Sequence, residues 1–190
     1  MIIAIKENDR VIVGYTNADV LTKLSEEDYI HEENTPMAFT EAGVFVAFSS
    51  LCSASDMLIS DDDFLALEVS PKAIINATIP YIKQRLIESK NPPDRADGYW
   101  GNSIVYVDGT RIFDIDPRFG FREIDEVVLH GYDVDIIKSV IDATEGLSAE
   151  NRIVKACSFS SEITKTSLFP LTIVDTKTRE IKHVMKGEIE

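Results

Sequence analysis

The chain is 190 residues long, carries a formal net charge of −14, and is 44% apolar and 27% charged. Such a length buries a core of its own, and one domain over 1–190 is expected. A surface this acidic repels phosphates, so nucleic acid is not an expected partner, and no apolar run approaches the ~20 residues that cross a bilayer.

The opening Met1-Ile2-Ile3-Ala4-Ile5-Lys6 is apolar at once, without a basic leader or a cleavage site. It reads as a first strand rather than a signal peptide. Across Glu7-Asn8-Asp9 it pairs with Arg10-Val11-Ile12-Val13-Gly14-Tyr15 in a hairpin. Thr16 to Asn34 is polar and reads as irregular or as a sheet edge. Strand signals return at Pro36 to Phe39 and more strongly at Gly43 to Phe48. Between Ser53 and Val69 the pattern is ambiguous. Asp61-Asp62-Asp63 suits a helix start, where carboxylates oppose the dipole, or a solvated turn. Phe64 to Leu67 also fits an extended run.

Ser70-Pro71 opens a clear helix, with serine as N-cap and proline at the first position. Its apolar stripe is Ile74, Ile75, Ala77, Ile79, Ile82 and Leu86; Pro80 is expected to kink it. Asn91-Pro92-Pro93-Asp94 ends it, and a surface loop runs on to Gly98. Asp108-Gly109, between Ser103 to Val107 and Thr110 to Ile115, is a strong hairpin signal because both turn residues need positive φ. Val127 to Leu129 is a further strand. Helices follow from about Asp133 to Thr144, closed by Gly146, and from Ser148 to about Ile163. A last hairpin joins Leu171 to Val174 with Glu180 to Val184 across Asp175-Thr176-Lys177-Thr178.

Several of these strands (44–48, 104–107, 127–129 and 171–174) lack polar alternation, which marks strands buried on both faces. Hairpin links make the sheets antiparallel. Antiparallel strands covered on both sides, together with amphipathic helices, imply an α+β fold: a four-layer α-β-β-α sandwich of two antiparallel sheets.

Three local strings add to this order. Gly43-Val44-Phe45-Val46-Ala47-Phe48-Ser49-Ser50-Leu51 leads a strand toward a helix. Arg111-Ile112-Phe113-Asp114-Ile115-Asp116-Pro117 ends a strand in an aspartate-proline turn, and Val128-Leu129-His130-Gly131-Tyr132 precedes a helix. With the paired helices and the final hairpin, they resemble the proteasome-type subunits of the N-terminal-nucleophile (Ntn) hydrolase superfamily. The resemblance covers most of the chain through short strings.

It implies a mechanism that can be checked residue by residue. In that family a threonine, serine or cysteine at the mature N-terminus attacks a carbonyl, its own α-amine serving as base directly or through water. An aspartate closing the second strand and a lysine on the next strand tune the amine. A glycine after the following strand offers a backbone N–H to the oxyanion. Here those positions fall at or just before Met1, near Tyr15 or Thr16, near Pro36, and near Ser50. None carries the required residue type. The bulky Ile2 also disfavours removal of the initiator methionine, and the family's first helix is expected to be shortened or disrupted between Ser53 and Val69.

Internal groups offer other chemistry. Cys52 follows an apolar strand, where a helix start would lower its pKa. Ser49, Ser50 and Ser53 flank it, and His130 is a candidate base. The residues favour structural roles for all of them: a buried thiol, a polar break, and a histidine hydrogen-bonded at a strand end. Asp114, Asp116, Asp133 and Asp135 lie where carboxylates suit a divalent cation. However, Asp133 reads as an N-cap, and Asp114-Ile115-Asp116 alternates like an exposed strand edge. Trp100 reads as a core anchor. The three histidines (His31, His130 and His183) are far apart and no Cys-x-x-Cys occurs, so no metal site is expected. Without a glycine-rich phosphate loop, no cofactor is expected either. Two cysteines, Cys52 and Cys157, make no disulfide scaffold and suit a reducing cytoplasm.

The expectation is a cytoplasmic, proteasome-like protein with no assigned catalytic residue. It would be a non-catalytic structural or regulatory subunit or a binding module. The resemblance implies a homo-oligomer or a larger protein assembly. The alternative is a divergent amide or peptide hydrolase using Cys52 or Ser50 as an internal nucleophile, with His130 as base.

Overall fold

The computed structural model describes residues 1–16, 37–49, 53–89, 100–131, 133–165 and 168–185. Strands β1 (Ile2–Glu7), β2 (Arg10–Thr16), β8 (Val127–His130), β9 (Leu171–Asp175) and β10 (Glu180–Val184) form one sheet, ordered β10-β9-β2-β1-β8. Strands β3 (Met37–Phe39), β4 (Phe45–Phe48), β5 (Ile104–Asp108), β6 (Arg111–Ile115) and β7 (Phe121–Ile124) form the second, in sequence order. Every pairing is antiparallel.

The side-chain period of two sorts each strand onto two faces, and both faces are apolar. On β1, Ile2 and Ala4 join the layer between the sheets, while Ile3 and Ile5 face the helices. On β4, Phe45 and Ala47 point between the sheets, and Val46 and Phe48 point outward. This is the physical reason the strands show no polar alternation. Helices α5 (Val134–Ala143) and α6 (Ala149–Thr164) cover the first sheet through Ile137, Ile141, Ile153 and Cys157. Helices α1 (Ser53–Ile59), α2 (Asp62–Leu65), α3 (Pro71–Ala73) and α4 (Ile79–Glu88) cover the second through Leu58, Phe64, Ile82 and Leu86. The four-layer α-β-β-α sandwich is the observed architecture.

Three local readings are refined. The helix does not run as a plain α-helix up to Pro80. The chain instead widens into a π-helical turn at Ile74–Thr78, where the Ile79 N–H reaches back to the Ile74 carbonyl. A wide turn gives room to a proline that can donate no hydrogen bond and would crowd a carbonyl in a tighter one. Phe64 and Leu65 are helical rather than extended. Asp61 is the N-cap of α2, largely buried, and accepts hydrogen bonds from Asp63 N–H, Tyr81 Oη (2.8 Å) and Arg85 Nε (2.9 Å). A solvated turn would leave that carboxylate in water; here it ties α2 to α4. Strand β7 has no counterpart among the expected elements, because Phe-Arg-Glu-Ile is exposed at the sheet edge and carries little apolar signal. Its Glu123 is instead held by Arg111 of β6 at 2.9 Å.

Candidate functional site

The start of β1 lies in the middle of its sheet, between β2 and β8. Ile2 pairs with Tyr15 on one side and with His130 on the other. Met1 continues the strand. Its amino group donates to the Thr16 carbonyl at 3.1 Å, and the Thr16 N–H donates back to the Met1 carbonyl at 3.1 Å. Its side chain is 9% exposed and belongs to the layer beneath α5 and α6. Gly131, at φ +128°, lies directly against it: a Cβ there would sit 3.0 Å from both Met1 Cα and Met1 Cβ. Only glycine allows that approach at that φ. Two residues on from Gly131, Asp133 is pinned to α6, accepting from Ser160 Oγ at 3.1 Å.

The second concentration of polar groups lies between the sheets. The Asp114 side chain is fully buried. On β6 it shares the face of Ile112, toward the other sheet. One carboxylate oxygen accepts from His130 Nε2 at 2.6 Å, and the other accepts from Arg122 Nε (3.1 Å) and Arg122 Nη2. The His130 bond therefore joins β6 of one sheet to β8 of the other. Burial pushes the Asp114 carboxyl up, but the hydrogen bond and charge of His130, then those of Arg122, outweigh it and hold the group below the ordinary aspartate value. The reading of Asp114 as part of an exposed edge is thus overturned. Its charge is tolerated inside because two donors satisfy it.

The path of the chain through these layers matches solved structures. BPH from Thiobacillus denitrificans superposes with a TM-score of 0.71 at 14% identity, over 97% of this chain and 98% of that one. Anbu (ancestral beta-subunit) from Yersinia bercovieri gives 0.68 at 12% identity, over 98% and 87%. Eukaryotic HslV from Trypanosoma brucei gives 0.60 at 15% identity, over 96% and 99%. This chain has the proteasome-type Ntn-hydrolase fold. No family model matches its sequence, and no curated protein matches it in sequence either.

On the proteasome-type fold, the position at the start of β1 can be examined atom by atom. Met1 offers a thioether, and no hydroxyl or thiol occurs from Met1 to Lys6. The positions expected for the aspartate, Tyr15 and Thr16, are both buried and carry no carboxylate. Pro36 and Ser50, which mark the expected lysine and oxyanion positions, lie outside the described residues, as does Cys52.

Of the internal candidates that are described, His130 is joined to Asp114, and Ser49 is engaged elsewhere. Ser49 Oγ donates to Asn102 Oδ1 at 2.9 Å and accepts from the Ser103 N–H at 2.8 Å, which stitches β4 to the chain entering β5. His130 shares the inner face of the sheet with Ile2, while Met1 packs on the outer face. His130 is therefore turned away from the first side chain and toward Asp114. Asp133 holds the N-cap position of α5, but its side chain makes no cap bond and goes to Ser160 instead. Among the described residues no group of three His, Cys, Asp or Glu side chains could hold a metal ion. Trp100 is a core anchor, stacked on Phe119 with ring centroids 5.5 Å apart. The Asp114–His130–Arg122 cluster escaped the sequence reading because its members are 8 and 16 residues apart and the tie crosses between sheets. The available signal was a lone aspartate on a strand of otherwise buried residues.

Proposed function

We propose that this proteasome-like chain is a non-catalytic structural or regulatory subunit, or a binding module, rather than a hydrolase acting through its first residue. The observation that carries the reading is Met1 itself: a methionine at the start of β1, 9% exposed, packed into the core layer with its amine donating to the Thr16 carbonyl. Attack on a carbonyl needs a nucleophilic atom within roughly 3–3.5 Å of it, with a base in reach. A thioether sealed beneath Gly131 meets neither requirement. The chain would act as one domain over 1–190, in the cytoplasm, as a homo-oligomer or within a larger protein assembly. The fold supports this last point, since one solved structure of the same fold is described as an ancestral beta-subunit. Among the described residues no helix is long and apolar enough to cross a membrane.

The test is turnover of a broad panel of fluorogenic peptides and amides, with intact mass recorded on the same sample. No hydrolysis above blank, with Met1 retained, is the expected result. Turnover that a reagent specific for N-terminal amines abolishes would overturn the proposal. Turnover that is instead lost on alkylation of Cys52, or on fluorophosphonate labelling of Ser50, would establish the internal-nucleophile hydrolase.

A further inference from the structure

His130, Gly131 and Asp133 are each pinned, in three different directions. His130 is held from the inner side by Asp114 at 2.6 Å. Gly131 lies on Met1, within 3.0 Å of where its own Cβ would fall. Asp133 is held from the outer side by Ser160 of α6 at 3.1 Å. The inner pin is the strongest, being a charge-assisted bond to a fully buried carboxylate. It is also the only one of the three that reaches the opposite sheet. β8 is held further by its ladder to β1, which ends at the Ile2–His130 pair, and by the packing of Val127 and Leu129 beneath the helices. Among the described strands β8 lies at the edge of its sheet.

From this we infer that the Asp114–His130 bond is a latch: it holds the end of β8 and the Gly131 turn down over the first residue of β1, and releasing it uncovers Met1 while both sheets stay folded. The argument is geometric. His130 and Gly131 are consecutive, so a displacement of the imidazole at the sheet edge moves the backbone that covers Met1. With the latch gone, the described groups that resist that movement are the end of one ladder, the packing of Leu129 beneath the helices and the Ser160 hydroxyl, all on the near side of the sandwich. Local openings of this kind are drawn from the least supported parts of a structure. The device is independent of whether the chain turns anything over, because it concerns access to the start of β1 and not its chemistry.

The test is residue-resolved amide hydrogen exchange on the whole chain, comparing wild type with His130→Ala, His130→Gln and His130→Leu. The Thr16 N–H, which donates to the Met1 carbonyl, and the N–H groups of Ile2 and Gly131 report on the cover. Ile82→Ala serves as a control, since it weakens the core between α4 and the other sheet without touching the latch. The expected result is exchange at these positions about tenfold or more faster in His130→Ala, with β4 and β5 changed no more than in Ile82→Ala. His130→Gln, whose amide N–H can donate to Asp114, should recover much of the protection. Uniform acceleration matching the Ile82→Ala pattern would overturn the latch, as would unchanged protection at Thr16 in a folded His130→Ala protein. If His130→Ala fails to fold, His130→Leu, which fills the space but cannot donate to Asp114, decides by the same comparison.

Discussion

Replacing Asp114 with Asn isolates what the charge contributes where the two sheets are tied. The variant keeps the side-chain size and one oxygen, so only one of Arg122 and His130 still finds an acceptor, and the ionic part of both bonds is lost. Removing one member of a buried ion pair costs about 3–5 kcal/mol when the partner left behind is sealed from water. Here one stranded partner can hydrate, because the Arg122 side chain is 59% exposed, whereas that of His130 is only 14% exposed. The expected loss at neutral pH is therefore lower, about 2–3 kcal/mol. Acid supplies the sign. The Asp114 carboxyl is held below the ordinary aspartate value in the folded chain. As pH falls the unfolded chain takes up the proton first. The stabilisation is thus complete above about pH 4 and disappears as pH drops through the lower, folded value. Glu7, Asp61 and Asp175 are also held low, but they titrate in both proteins and cancel in the difference. Urea unfolding of both proteins from about pH 5 down to about pH 3 should show the gap between them closing with acid. A gap that stays constant, or that widens on acidification, would refute the ionic clasp.

Other substitutions probe the packing around the site. A Cβ at Gly14 would overlap Ile153 Cγ2 of α6, so Gly14→Ala should cost about 1–3 kcal/mol. The Gly14→Ala, Ile153→Ala double variant should then lose less than the sum of the two singles in denaturant unfolding; strict additivity counts against direct contact. The Tyr81 phenol is pushed up to about 12 by burial and by its bond to Asp61. Tyr81→Phe should remove one late-ionising phenol from an ultraviolet titration and cost about 1 kcal/mol, since Arg85 still holds Asp61. The Cys157 thiol is fully buried and pushed up to about 12 by that burial. Iodoacetamide should modify it only after unfolding; peptide mapping that finds Cys157 alkylated in the native protein would contradict its placement.

The layers were legible because their cause is local. The Asp108-Gly109 signal located the hairpin but misplaced its turn by one residue: Asp108 ends β5 opposite Arg111, Gly109 and Thr110 form the turn, and of the expected pair only Gly109 takes positive φ (+61°). Ser70 and Ser148 cap their helices by accepting from the Ala73 and Asn151 N–H groups. The doubly apolar strands could only be sandwiched. What stayed hidden depends on partners distant in sequence. Nothing in residues 61 to 63 reveals that Tyr81 and Arg85 will bury one of three identical aspartates. Likewise Asp133 sits where an N-cap belongs, yet its carboxylate is drawn to Ser160, 27 residues away. Phe121 to Ile124 is a strand only because β6 already presents an edge with Arg111 ready to pair Glu123. At the candidate site, residue types told what Met1 lacks. Only the fold tells that its side chain is used to fill a core.

That use explains why scaffold and site compete for residue 1. Burying a methionine side chain contributes about 1.5–3 kcal/mol, and Met1 makes that contribution in the layer shared with Ile3, Ile153 and Cys157. A nucleophile at the same position must leave its reactive atom open to a substrate carbonyl, which forfeits most of that burial. On the reading proposed above, the two demands cannot be met by one side chain, and this chain meets the first. A threonine placed at position 1 would open a void beneath Gly131 and gain nothing in return, because Tyr15 and Thr16 supply no carboxylate to tune its amine. Groups that act as a unit give no partial activity when restored singly. Each single step toward a working N-terminal nucleophile is therefore a step down in stability without a step up in rate. On that reading, such a barrier would keep this scaffold from regaining catalysis once its first residue had joined the core.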